Sequence, residues 1–197
     1  MKRGIQGQLK LFEEKKEQFG DYYLLFRPEE KILSKIEMLN SETDIFLKEN
    51  ICSWRIPHIS LLRFPWRVME ENDLIQIIEN LLANYDCPQL RTSSIEEYNS
   101  GVVYVKLENQ DNALNFRDHL LNGLKYAIGL YNPKRSNKTR IDLHITIAKD
   151  LDKEKIKSLL DHLRKFEFEP IEFKCTLVLL RRSASGKKWE KVIEFDF

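Results

Sequence analysis

Apolar and polar residues along this chain alternate between two rhythms, a period near 3.6 and a period of 2, and the switches between them mark out the elements. Tyr22-Tyr23-Leu24-Leu25-Phe26 is a short apolar run ended by Arg27-Pro28, the pattern of a buried strand. Glu29 and Glu30 then open a helix with Ile32, Leu33, Ile36 and Leu39 on one face, the acidic pair facing the positive end of the backbone dipole. A strand is predicted from Ile56 to Phe64, closed by Pro65, followed by a helix from Glu70 to Asn84 with a stripe of Leu74, Ile77, Ile78, Leu81 and Leu82. Gln89–Tyr98 and Val102–Leu107 form a hairpin across Asn99-Ser100-Gly101. A third helix, Asp111–Tyr126, carries Ala113, Phe116, Leu120 and Leu124 on one side. A strand from Ile141 to Ala148, a helix from Lys153 to Lys165, and a closing hairpin of Glu172–Arg182 and Trp189–Phe195 complete the chain.

Two of the predicted strands carry the same phrase. His58-Ile59-Ser60-Leu61-Leu62-Arg63 returns as His144-Ile145-Thr146-Ile147-Ala148-Lys149, alike in chemical type at all six positions. Side chains alternate faces along a strand, so His58 shares a face with Ser60, and His144 with Thr146. Each such strand is followed by an amphipathic helix and later by a hairpin, so the order of elements describes a duplicated unit. Brought side by side, the two strands set two imidazoles and two hydroxyls around one cleft. That group suits phosphodiester chemistry: one histidine accepts a proton while the other donates one, and the hydroxyls donate hydrogen bonds to non-bridging phosphate oxygens. Which histidine is acid and which is base stays open, because the roles exchange between ring opening and its reverse.

Composition narrows the setting. The 197 residues are 42% hydrophobic and 32% charged with a formal net charge of +1, enough for one cored domain and too balanced for a nonspecific nucleic-acid polycation. Basic residues cluster locally at Lys134, Arg135, Lys138 and Arg140 and again at Arg181, Arg182, Lys187, Lys188 and Lys191. Cys52, Cys87 and Cys175 are scattered and odd in number, which argues against a disulfide framework and for a cytoplasmic home. Met1–Asp21, broken by charges, is expected to be an extension ahead of a single domain over 22–197, with no signal-peptide core and no membrane span. His119 and His162 are expected at helix surfaces. Phe64 and Trp66 either line the cleft or pack on the following helix.

The pair His58-Ile59-Ser60-Leu61 and His144-Ile145-Thr146-Ile147 resembles the two H-x-[ST]-hydrophobic signatures of the 2H phosphoesterase superfamily, in the branch of 2′-5′ RNA ligases and RNA 2′,3′-cyclic phosphodiesterases. The resemblance runs from about Tyr22 to Phe197. Pro57 keeps the proline that often precedes the first histidine; Leu143 departs from it, Ser60 stands for the commoner threonine, and Phe64-Pro65-Trp66-Arg67 replaces a short glycine turn. The resemblance implies an α+β fold, bilobal and duplicated, of two mostly antiparallel sheets with helices packed outside and a central cleft. It implies His58 and His144 as catalytic residues, Ser60 and Thr146 as phosphate-binding hydroxyls, and no metal or other cofactor. Arg63 and Lys149 sit where relatives often carry basic residues, although strand parity alone puts both on the face away from the histidines. Trp189 falls where relatives often carry an aromatic suited to stacking on a base; core packing is the plainer alternative. The expected protein is a monomeric enzyme opening 2′,3′-cyclic or related ribose phosphodiesters on a nucleotide or RNA end. A noncatalytic RNA-end binder on the same scaffold is the rival.

Overall fold

A computed structural model describes residues 18–52, 56–128, 142–166, 168–183, 186 and 188–195. Eight strands and four longer helices follow in chain order: β1 (Phe19–Pro28), α1 (Glu30–Leu47), β2 (Ile59–Arg67), a 3-10 turn (Val68–Glu70) leading into α2 (Glu71–Leu82), β3 (Leu90–Tyr98), β4 (Val102–Glu108), α3 (Asp111–Ile128), β5 (His144–Ala148), α4 (Lys153–Leu163), β6 (Glu172–Phe173), β7 (Cys175–Ser183) and β8 (Glu190–Phe195). The basic segment at 134–140 and most of the expected extension lie outside the described residues. β1 begins at Phe19, three residues into that extension.

All described strand pairs are antiparallel, in the order β6-β3-β4-β5-β2-β1-β7-β8. The fold is therefore the expected α+β arrangement of two antiparallel halves, β2-β1-β7-β8 and β5-β4-β3-β6. The halves are stitched into one curled sheet through a single register pair, Ile59 with Ile145. The helices cross over: α1, which follows β1, packs on β5, while α3, which follows β4, packs on β2. Each half thus covers the other half's histidine strand, and the core that results includes Ile59, Ile145, Ile36, Leu39, Phe116 and Leu120. Burying these side chains ties the halves together far more strongly than one ladder pair does, at about 1.5–3 kcal/mol for each large apolar group.

β2 differs from its expected bounds. It runs through Pro65 to Arg67, with Pro65 opposite Asp21 of β1. A proline within a strand removes one ladder donor, and β2 tolerates it because β5 pairs with it only at Ile59, leaving its far end an edge on that side. Phe64 and Trp66 are buried, Phe64 stacked on Tyr22 and Trp66 donating from Nε1 to the Glu70 carbonyl at 2.8 Å. They belong to the core, not the cleft. His119 and His162 are likewise half-buried rather than surface groups. His119 donates to the Leu81 carbonyl at 3.2 Å and stacks on Tyr85; His162 stacks on Phe46. Among the described residues no helix is long and apolar enough to cross a membrane.

The hairpin turn at Gly101 also anchors the loop after β5. Gly101 has φ +88°, its carbonyl accepts from Leu151 N at 3.1 Å, and a Cβ there would stand 2.6 Å from the Leu151 carbonyl oxygen. Gly101→Ala combines a left-handed backbone with a backbone clash and is expected to lower unfolding free energy by about 1–3 kcal/mol in urea titrations. An unchanged midpoint would show that the turn relaxes freely.

Candidate functional site

The residues leading into each histidine strand are fixed by a polar side chain from the helix region before them. Near the end of α1, one Asp44 oxygen accepts from both Ile51 N and Cys52 N at 2.9 Å, holding the chain that runs toward His58. Just ahead of α3, Gln110 accepts from Leu143 N at 2.6 Å and donates to the Leu107 carbonyl, fixing the residue before His144. Cys52 itself is fully buried, as a core side chain.

Ile59 and Ile145 point into the core with no exposure, so their neighbours on either side point to the opposite face. Extending their register by one residue each way sets Thr146 beside His58 and His144 beside Ser60. The imidazoles then stand on the diagonal, about 7–8 Å apart at the backbone.

Both rings are held in the same way. His58 Nδ1 lies 2.9 Å from the Ile56 carbonyl and His144 Nδ1 lies 3.1 Å from the Asp142 carbonyl. A carbonyl can only accept, so each Nδ1 carries the proton and each Nε2 is left to exchange protons elsewhere. On the first half, Nε2 of His58 lies 3.1 Å from the Tyr23 hydroxyl, which also bonds Ser60 Oγ. With neutral His58, Tyr23 donates to Nε2 and accepts from Ser60. Burial pushes the Tyr23 phenol up, opposed by the Ser60 hydrogen bond, so it keeps its proton near neutral pH. On the second half, Tyr98 and Tyr104 stack at 4.1 Å and flank His144 at 5.3 and 5.1 Å. There the tyrosine hydroxyl turns away: Tyr104 donates to Glu96, whose carboxylate is held low mainly by Lys106.

Arg63 overturns the parity expectation. The register of β2 against β1 slips at one point, Leu25 facing Ser60 and Leu24 facing Leu62, so Leu61 is an extra residue. The bulge exchanges the two faces beyond it. Phe64 and Trp66 turn inward, and Arg63 emerges on the face of His58 and Ser60. β5 has the matching bulge, with Tyr104 facing Thr146 and Val103 facing Ala148, so Ile147 is extra. Lys149, past the end of β5, is exposed, ion-paired with Asp150 at 4.0 Å, and makes no contact with the histidines or hydroxyls among the described residues.

Trp189 lies on the cleft side and not in the core. It is half-buried, 5.4 Å from the Tyr23 ring, with the guanidinium carbons of Arg63 and Arg182 at 5.3 and 4.9 Å from its centroid. Both arginines reach Asp21. Tyr23, Asp21, Tyr98 and Tyr104 do not stand out as site residues in the sequence, and Arg182 stands out there only as one member of the basic run from Arg181 to Lys191. Tyr23 is hidden within an apolar run, although its parity with Asp21 marks it as facing away from Tyr22 and Leu24.

The comparisons with known proteins agree with this fold. The family model of the 2'-5' RNA ligase superfamily matches residues 35–187. A search of curated protein sequences gives no match. Among solved structures, TT0787 of Thermus thermophilus superposes with a TM-score of 0.62 at 13% identity, covering 89% of this chain and 96% of its own. Escherichia coli LigT complexed with 3'-AMP gives a TM-score of 0.63 at 13% identity, covering 90% and 98%. Escherichia coli LigT complexed with NADP+ gives 0.58 at 11%, covering 90% and 97%. At these identities the likeness is one of fold.

The Arg63 hydrogen bond, ahead of the opposing effect of burial, holds the Asp21 carboxyl below its ordinary range. The folded state therefore takes up this proton less readily than the unfolded chain. The stabilisation is complete above the unfolded value near about 4 and is lost as pH falls through the lower folded value. Asp21→Asn is expected to be less stable than the parent near neutral pH, with the gap closing by about pH 2 in urea titrations. An equal gap at both pH values would show that the charge of Asp21 contributes nothing.

Proposed function

The chain belongs to the 2'-5' RNA ligase superfamily, and from that premise we propose that it hydrolyses a 2′,3′-cyclic phosphate or related ribose phosphodiester without a metal, with His58 and His144 as its general acid–base pair. The observation that carries this reading is the matched locking of the two rings, each with Nδ1–H on the carbonyl two residues back and Nε2 left to exchange protons. The Escherichia coli LigT complex with 3'-AMP supports a nucleotide monophosphate as the ligand class.

The reaction divides as follows. One Nε2 removes a proton from water as its oxygen attacks phosphorus. The bond from phosphorus to one ribose oxygen breaks, and the other histidine, protonated at Nε2, delivers its proton to that oxygen. The products are a phosphomonoester and a free hydroxyl. Ser60 and Thr146 donate to the non-bridging oxygens as charge gathers there. In the unliganded site the Ser60 hydroxyl is engaged with Tyr23, so phosphate binding swings its proton from the phenol to the ligand. For His58 to exchange a proton at Nε2, Tyr23 gives up its hydrogen bond there as the substrate enters, so Tyr23 holds the ring only in the unliganded site. Proton transfer and charge stabilisation are both supplied by side chains, so the scheme has no step that calls for a metal.

His58→Ala and His144→Ala are each expected to lower kcat/KM on a nucleoside 2′,3′-cyclic phosphate by about 10²–10⁴-fold, measured with EDTA present. Ser60→Ala and Thr146→Val are each expected to cost about 10²-fold, chiefly in kcat. Turnover within about 10-fold of the parent in either histidine variant, or turnover that EDTA abolishes in the parent, would sink the mechanism. A ligand that raises the melting temperature yet is never turned over would identify a binding protein instead.

A further inference from the structure

Among the described residues the strands change halves twice, and each crossing carries a cysteine. β2 and α2 lead from the first half through residues 83–89 to β3 of the second, and Cys87 lies in that connection. β6 of the second half leads back to β7 of the first, and Cys175 is the first residue of β7. The two crossings touch: Cys87 Sγ donates to the Cys175 carbonyl at 2.9 Å, a contact across 88 positions of chain. That carbonyl oxygen lies about 2.4 Å from its own Cα, so the Cys87 sulfur stands within about 5.3 Å of the Cys175 Cα. The backbone around the pair is fixed, with Leu90 paired to Phe173, Pro28 to Cys175, and Glu29 N donating to the Lys174 carbonyl at 3.1 Å. A disulfide asks for Cα atoms about 4.4–6.8 Å apart, so closure here calls for rotation of two side chains and no shift of strands.

The surroundings give the two thiols different parts. Cys87 is half-buried and within reach of a small solute, whereas Cys175 is 8% exposed. Burial, and after it the neighbouring Cys87 and Glu29, pushes the Cys175 thiol up, so it keeps its proton until a partner sulfur is activated. Among the described residues no group of three or more His, Cys, Asp or Glu side chains is placed to hold a metal ion, which leaves the two sulfurs to each other.

We propose that Cys87 and Cys175 close into a reversible disulfide when the protein meets a peroxide, a staple joining the two crossings and through them the two halves. The Cys87 thiolate attacks one oxygen of hydrogen peroxide, the O–O bond breaks, and the departing hydroxide takes up a proton as water, leaving a sulfenic acid. The Cys175 sulfur then attacks the Cys87 sulfur, the S–O bond breaks, and the hydroxide leaves as a second water with the proton of the Cys175 thiol. Two thiols are oxidised, one peroxide is reduced, and the chain loses two hydrogens. The bond forms near the joint between the halves: Cys175 faces Pro28 of β1, Phe26 of the same strand faces Ile59, and Ile59 pairs with Ile145. The staple therefore reinforces that single register pair. It stands apart from the hydrolytic reading, since neither sulfur belongs to the cleft.

The test is to treat the native full chain with hydrogen peroxide, block the remaining thiols, and map the peptides by mass spectrometry. The chain is expected to become two hydrogens lighter, with Cys52 the one thiol left to block and the peptides of Cys87 and Cys175 joined, and dithiothreitol is expected to reverse the link. The linked chain is expected to melt about 5 °C or more above the reduced chain. Cys87→Ser and Cys175→Ser are each expected to lose both the link and the difference in melting between peroxide-treated and untreated protein. Three free thiols after treatment would overturn the proposal, as would a link through Cys52 or to a second copy. So would Cys87 oxidised to a sulfinic acid with Cys175 still free, or a link that leaves the melting temperature unchanged. The map is read on the parent chain, so the result holds even where a serine variant fails to fold.

Discussion

The arrangement depends on one narrow joint, the pairing of Ile59 with Ile145. Those two isoleucines are buried on the helical side, so the residues flanking them must stand on the other side, and the flanking residues are the histidines and hydroxyls. A slip of one residue would turn an imidazole into the core and an isoleucine out into water. The hydrophobic cost of such a slip, more than the ladder hydrogen bonds, sets the spacing of the two rings. The crossed packing of α1 on β5 and α3 on β2 reinforces it, because neither half can shift without dragging the helix that covers its partner.

Given that joint, the chemistry follows from small local fixtures. A carbonyl two residues before each histidine settles which nitrogen holds the proton, and Gln110 fixes Leu143, the residue just ahead of His144. The two halves repeat this arrangement but not the surroundings of Nε2. Tyr23 engages one histidine and its hydroxyl directly, whereas Tyr104 donates its hydrogen bond to Glu96. A duplicated scaffold with unlike decoration suits a reaction in which two like groups do opposite things.

Much of this is legible in the sequence because it rests on periodicity. The helix stripes, the hairpin at Gly101 and the face shared by His58 with Ser60 and by His144 with Thr146 are consequences of patterns a few residues long. What fails is parity carried too far. Counting by twos from His58 puts Arg63 on the wrong face, because the bulge at Leu61 adds a residue and a bulge leaves no sign in residue type. Pro65 reads as a strand end since proline lacks the ladder donor, yet along that stretch β2 is an edge on its β5 side and pairs only with β1. His119 and His162 read as surface groups because they lie off the apolar stripe. Their rings instead fill gaps against neighbouring aromatics, a placement that only tertiary packing decides.

The same bulge links the core to the charge beside the site. Without it, the alternation of β2 would send Arg63 inward, where an uncompensated guanidinium costs several kcal/mol, and Phe64 and Trp66 outward into water. With it, both problems vanish together: the aromatics join the core, and the cation meets Asp21 beside Trp189. Arg182 arrives at the same carboxylate with no bulge, since β7 pairs with β1 in unbroken register and sets Arg182 opposite Asp21. Two strands on either side of β1 therefore deliver their cations to one acidic residue, and the electrostatic field on that side of the site is written into strand register. Among the described residues, Arg63 and Arg182 share Asp21 on the Tyr23 side, while Lys106 is paired with Glu96 on the Tyr104 side.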